Sequence, residues 1–453
     1  MNTQAVILGF VSLIMWAYVW YNSKSRSPFG WASPTSIFVL GLVLFYIIPS
    51  LYWQFRPWTF MFYDYFDGLS LVFTGTIVFC IPFVINVIIE RKNTHITKSY
   101  NIEKGSYGNN LYIILVPLAI GIGWRIFLVT LGWQGRLERS APSIFGSESL
   151  ALIIQNFGYY YPVCYFLLIA YGNRMQNSIG KYIWVFDGFF VLFIMSRTMI
   201  SRYVLISLVF MVINKSKVSK KQWVLSGLFI IFLFSVIGMS QNSLTGNIAG
   251  DKKYVNPEGV VETLSTGTKS YYEEGFFEYS ASSTESNPFL RNIDDTMFRF
   301  YDARSLSATM VYYKQNNCFL NGKSFLHIIY TFMPRYFWKD KPSLSEIHSI
   351  TDETMYPETC NPLGTIGELY CNFGFLGVFI GGIVCMLLCS YLESYIRNIK
   401  EMLPHFICIY PLFTEILILS SFNFSQRIAE GIRAIMVMTL IAIMLKMIRK
   451  IKI

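Results

Sequence analysis

Apolar runs of about twenty residues recur along this chain, with short polar segments between them. Runs of that length match the roughly 30 Å hydrocarbon core of a bilayer. They predict helices over 4–21, 36–53, 69–89, 110–131, 150–172, 182–196, 199–213, 223–240, 363–390, 404–421 and 431–447. One long polar stretch, Gln241–Cys360, interrupts the series. The expected fold is an all-α polytopic integral membrane protein, with about eleven transmembrane helices and one large outer loop. Three parts follow: helices one to eight within 1–240, the loop over 241–362, and helices nine to eleven over 363–453.

Composition agrees. The 453 residues are 53% hydrophobic and only 14% charged, with mean hydropathy +0.43. Ordinary soluble domains carry about 25% charged residues. No Lys or Arg precedes the first run and no Ala-x-Ala cleavage pattern follows it, so that run reads as a retained helix.

The net charge of +10 raises nucleic acid as a partner. Its placement argues against that, because the cations mark alternate loops: Lys24/Arg26, Arg91/Lys92/Lys98/Lys104, Arg174/Lys181, Lys215–Lys221, Arg397/Lys400 and the Lys446–Lys452 tail. Cytoplasmic loops are the Lys/Arg-rich ones. The N-terminus is therefore expected outside, the C-terminus in the cytoplasm, and the long loop outside. The cysteines and histidines show no metal-binding spacing. Cys318 and Cys360 fall in the outer loop, where an oxidising space would let them pair.

Three places carry candidate chemistry. The first is 182–213, whose flanks are both cytoplasmic in this topology, so it must cross an even number of times. Two helices of about fifteen residues each reach about 22 Å, which draws Ser196–Arg202 into the outer half of the membrane. Arg197 and Arg202 there are costly unless an anion meets them, a lipid pyrophosphate for instance, or unless they snorkel to headgroups. The second is the later part of the loop. A helical pattern runs through Met297, Phe298, Tyr301, Leu306, Met310 and Tyr313, with Arg299 inside it. Phe325–Met333 is apolar but too short to span, like a helix lying in the interface. Pro334–Pro342 then mixes Tyr336 and Trp338 with Arg335 and two lysines, as an interfacial anchor or as a phosphate or sugar clamp. The third is the run at 363–390, longer than a crossing needs. Glu368 and Asn372, four apart, share a face near its start. An acid there is expensive unless it lines a polar cavity. Gly377 and Gly381 form a small-residue packing face.

The short helix pair around Ser196-Arg-Thr, the long outer loop, Pro334-Arg-Tyr-Phe-Trp-Lys-Asp-Lys-Pro342 and Gly367-Glu-Leu-Tyr-Cys-Asn-Phe-Gly374-x-x-Gly377 occur in that order. In this the chain resembles the Wzy-type O-antigen, or oligosaccharide repeat-unit, polymerases. The resemblance implies a metal-independent, cofactor-free membrane glycosyltransferase of the GT-C-like type, with a periplasmic loop, in the bacterial inner membrane. Its substrate would be an oligosaccharide on undecaprenyl pyrophosphate, its surroundings membrane lipid, and a chain-length regulator its partner protein. Glu368 would be the base or acceptor guide. Arg197, Arg202 and Arg335, with Arg299 and Arg427 beside them, would hold the pyrophosphate; Asn372, Tyr336 and Trp338 would touch the acceptor sugar. The related ligases carry a His near the start of the corresponding glycine-rich helix. Cys360-Asn-Pro-Leu-Gly364 has none, which argues against ligase. A lipid-linked sugar flippase is the alternative from another class.

The topology is open to test. A phosphatase reporter fused after Lys217 should be inactive and one fused after Lys253 active; the reverse pattern would invert the assignment.

Overall fold

The structure is a computed structural model, and it describes residues 3–27, 29–55, 63–91, 118–119, 121–123, 126, 161–193, 197–213, 297, 303–332, 338, 363–402, 410, 414, 417, 423–429, 431–432 and 436. Among these, every regular element is helical: α1 (Thr3–Arg26), α2 (Pro34–Phe55), α3 (Tyr63–Arg91), α4 (Pro162–Tyr171), α5 (Arg174–Phe193), α6 (Arg197–Ile213), α7 (Ala303–Asn316), α8 (Leu326–Phe332) and α9 (Gly364–Met402). Among the described residues, four stretches are long and apolar enough to cross a membrane: Thr3–Arg26, Pro34–Phe55, Gly68–Ile89 and Gly364–Ser394. They coincide with the first three expected spans and with the ninth. The chain is a helical protein with membrane-spanning character.

Two compact units interleave in sequence. The first comprises Met1–Ser99, Ile293–Met402 and Phe413–Ile443; the second comprises Tyr100–Asn292, Leu403–Leu412 and Met444–Ile453.

In the first unit, α3 is the central helix and packs most extensively on α1, α7 and α9. Its contact with α1 combines apolar packing with a 2.7 Å hydrogen bond between the Ser12 and Thr76 hydroxyls. Small polar residues let membrane helices approach closely and bond across the seam. Trp16, Phe38, Phe79 and Phe83 fill the space between α1, α2 and α3, with the Phe38 and Phe83 rings stacked at 5.7 Å. In α2, Pro49 lacks an N–H and would crowd the Phe45 carbonyl of a regular helix. The turn before it, Val43–Ile47, widens to a π-helix, and the Ile48 N–H bonds to Val43 O.

The helical pattern expected late in the outer loop is α7, with Leu306, Met310 and Tyr313 all buried. Helix α7 meets α3 at Gly68, where a β-carbon would run into Ser307. The expected interfacial segment is α8, which leaves Leu326 and Ile329 exposed.

Two expectations are corrected. Ser196–Arg202 is not a connecting loop, because α6 already begins at Arg197 and both arginines lie on it. The preceding helix runs Arg174–Phe193 rather than 182–196. It takes in Arg174 and Lys181, and its twenty residues reach about 30 Å. In the second unit, Phe166 of α4 stacks on Phe210 of α6 at 4.1 Å.

The other correction concerns 363–390, which is not one continuous helix. Phe373 (φ −142°, ψ 21°) and Gly374 (φ 61°, ψ −149°) break α9 into a short arm, 364–372, and a long arm, 375–402. The chain turns back on itself there. A β-carbon on Gly377 would stand 2.5 Å from the Leu369 carbonyl oxygen, and one on Gly381 would overlap the Leu369 side chain. In a straight helix residues 369 and 377 are about 12 Å apart along the axis. Gly377 and Gly381 thus form a packing face whose partner is the preceding arm of their own helix.

The backbone angles of Gly374 belong to a region that is essentially glycine-only and costs other residues about 1–3 kcal/mol. Gly374→Ala should destabilise the first unit by about that amount, read as a lower unfolding temperature in detergent. An unchanged temperature would mean the break does not depend on glycine.

Candidate functional site

The short arm of α9 carries Thr365, Glu368 and Asn372 on one face, three and four residues apart. All three side chains are buried. The break beyond Asn372 ends the helical ladder, so the last carbonyls of the arm lose their partners four residues on. The segment Asn317–Phe325 supplies replacements. Leu320 N–H donates to Cys371 O at 2.9 Å and Asn321 N–H to Asn372 O at 3.2 Å. To follow the arm's end this strap turns sharply, with Asn317, Asn321 and Gly322 all at positive φ. Asn and Gly are the residues that enter that region most readily. Aromatic rings flank it: Phe319 on Tyr370 at 6.0 Å, and Phe325 between Phe373 at 6.1 Å and Phe424 at 5.6 Å.

Side chains extend the same join. Asn372 Oδ1 accepts from Gly322 N–H at 2.8 Å. Its Nδ2 donates to Ser324 Oγ at 2.7 Å and to Glu368 O at 2.7 Å. These partners fix which end of the amide is oxygen. Because Ser324 Oγ receives a proton from Asn372, its own proton is directed to Glu368 Oε1, at 2.6 Å.

The other carboxylate oxygen, Glu368 Oε2, accepts from the backbone N–H of Ser425 at 2.7 Å. Ser425 lies in the first turn of the helical stretch 424–429, where N–H groups have no partner within the helix. Glu368 therefore ties together three segments distant in sequence, and among the described residues no salt bridge reaches it. The Ser425 hydroxyl lies beside the same carboxylate without completing a hydrogen bond.

Arg427 comes from that same stretch and is also buried. Its Nε donates to Thr365 Oγ1 at 3.1 Å and its Nη1 to Leu417 O at 2.7 Å. The guanidinium sits 5.1 Å from the Phe38 ring centre, in cation–π range. Glu368 and Arg427 are held by the same short arm, one helical turn apart.

Of the residues singled out from sequence, Glu368, Asn372 and Arg427 come together here. Trp338 packs edge-on against Tyr330 of α8 at 5.0 Å. Arg197 and Arg202 lie on α6 in the second unit, and their side chains fall outside the described residues, as do Arg299, Arg335 and Tyr336. Cys318 is a free, exposed thiol, and Cys360 falls outside the described residues. Sequence reasoning missed Ser324, Asn423 and Ser425. The Asn321-Gly322 pair is a strong turn signal and marks the strap; nothing in the sequence links it to Glu368.

No protein-family model, no curated protein and no solved structure matches this chain.

Replacing Asn372 by Leu removes the acceptor of Gly322 N–H and the donor to Ser324 at once. Each buried polar group left unpaired costs about 1–3 kcal/mol. A fall in stability of at least about 1 kcal/mol is expected in thermal or denaturant unfolding, and wild-type stability would show that the strap holds without Asn372.

Proposed function

We propose that the chain is an oligosaccharide repeat-unit polymerase of the O-antigen type, a metal-independent glycosyltransferase of the GT-C-like class with about eleven spans in the bacterial inner membrane. The observation that carries this reading is the meeting of Glu368, Asn372 and Arg427 in one buried polar cluster beside a break in an apolar helix. Ionisable groups inside a membrane bundle are costly and mark functional paths.

The chemistry suits these groups. An acceptor sugar hydroxyl gives its proton to Glu368, and its oxygen attacks the anomeric carbon of the growing glycan. The bond from that carbon to pyrophosphate breaks, and undecaprenyl pyrophosphate leaves with the electron pair. Guanidinium groups match the pyrophosphate oxygens. Arg197, Arg202 and Arg335 are proposed for that task, with Arg299 and Arg427 as further candidates; Tyr336 and Trp338 would contact sugar. The loop carrying Arg335 faces the periplasm in this reading, and a chain-length regulator would act from outside the chain.

A second reading has one observation in its favour. Transporters use broken membrane helices at their binding sites, and α9 is broken at Phe373–Gly374. A flippase for the lipid-linked unit would share the polar cluster but make no bond.

A deletion strain carrying Glu368→Gln separates the two on a lipopolysaccharide gel. Core bearing a single repeat unit, with normal chain in the membrane, is the expected result. Bare core would favour the flippase, or a ligase, and a full ladder would remove Glu368 from catalysis.

A further inference from the structure

The Glu368 carboxylate is only 1% exposed and both its oxygens are occupied. With the residue closed off from solvent, a substrate hydroxyl reaches it only by displacing one of those donors. The Ser425 donor is backbone, fixed in a helical turn. The Ser324 donor is an alcohol, carried in the single 3-10 turn Lys323–Phe325 of the strap, and its 2.6 Å contact is the one a sugar hydroxyl would make.

Two polar atoms close by have no hydrogen-bond partner although they are buried: Ser425 Oγ, beside the carboxylate, and Asn423 Oδ1, two residues earlier. Asn423 occupies the cap position of the 424–429 stretch, where its side chain would ordinarily accept a first-turn N–H. Glu368 takes the Ser425 N–H instead. Buried polar groups are nearly always paired, so two orphans in the turn that meets this carboxylate need an explanation. A ligand bearing neighbouring hydroxyls supplies it. One hydroxyl would donate to Glu368 in place of Ser324, and the other would engage Ser425 Oγ and Asn423 Oδ1.

Resting on the polymerase reading for its substrate class, we propose that Glu368, Asn423 and Ser425 form a sugar-hydroxyl subsite, and that Ser324 on the Asn317–Phe325 strap occupies it as a built-in stand-in. The strap is then an inhibitory cover, which the acceptor sugar displaces.

Hydrogen exchange on the full chain in lipid nanodiscs tests this through the strap amides of Leu320, Asn321 and Gly322, without relying on polymer. A panel of methyl glycosides serves as probe. At least one should speed exchange of the three amides in the wild-type chain, and none should do so in Ser425→Ala. Ser324→Ala should speed exchange by about tenfold with no glycoside present, while Ser324→Thr keeps the hydroxyl and the slow rate. If Ser324→Ala fails to accumulate, Glu368→Ala, which removes both oxygens, takes its place, with the same acceleration expected. Ser425→Ala should change the unfolding temperature little, since Oγ completes no hydrogen bond, while lowering polymer yield in cells. The proposal is overturned if no glycoside changes exchange, or if Ser425→Ala responds as wild type does. It is equally overturned if strap exchange ignores the loss of the Ser324–Glu368 contact. A responding strap with a full ladder in Glu368→Gln would keep the subsite and remove the polymerase reading; a silent strap with the ladder lost would do the opposite.

Discussion

A backbone carbonyl without a partner is hard to tolerate away from water, and the break at Phe373–Gly374 creates several at once. Irregular backbone at membrane depth persists only where protein covers it or where it lines a wet cavity. The strap is that cover. Its amides take the carbonyls of Cys371 and Asn372, its rings shield the turn, and its serine reaches the acid one helical turn back. The acid site exists because the helix is broken, and the broken helix persists because the strap completes its hydrogen bonding.

The same constraint explains how a carboxylate is held at Glu368 with no salt bridge to it among the described residues. A hydroxyl and a backbone amide, both fixed in direction, replace water around the two oxygens. Such an arrangement is precise but interdependent. Asn372 sets the direction of Ser324, Ser324 meets Glu368, and Glu368 holds the turn that carries Arg427. Polar networks of this kind act as units, so the loss of one member strands the others.

Four of the eleven expected spans are met by long apolar helices among the described residues. Hydropathy alone located α1, α2, the apolar part of α3 and α9, because each contains a long uninterrupted apolar run. It failed where averaging hides geometry. Gly374 sits inside an apolar window, and no window average reveals a positive φ. The start of α5 was hidden by Arg174 and Lys181, since an amphipathic helix with exposed Met175 and Tyr182 resembles a polar loop followed by a short run. At the site, Glu368 and Asn372 could be paired by their spacing of four, a local property of helices. Ser324 and Ser425 could not, because they lie 44 and 57 residues from Glu368 and only folding brings them there.

The interleaving of the first unit bears on how the chain is made. Helices α1 to α3 leave the ribosome early, but α7 and α9, the partners of α3, follow only after the whole second unit's main segment, Tyr100–Asn292. At roughly 5–20 residues per second, the 265 residues from Ser99 to Gly364 take about 13–53 seconds to synthesise. For that interval Gly68 and Gly75 lack the α7 and α9 residues they pack against in the finished unit. The first unit therefore cannot close around α3 until α9, its last partner, has been made.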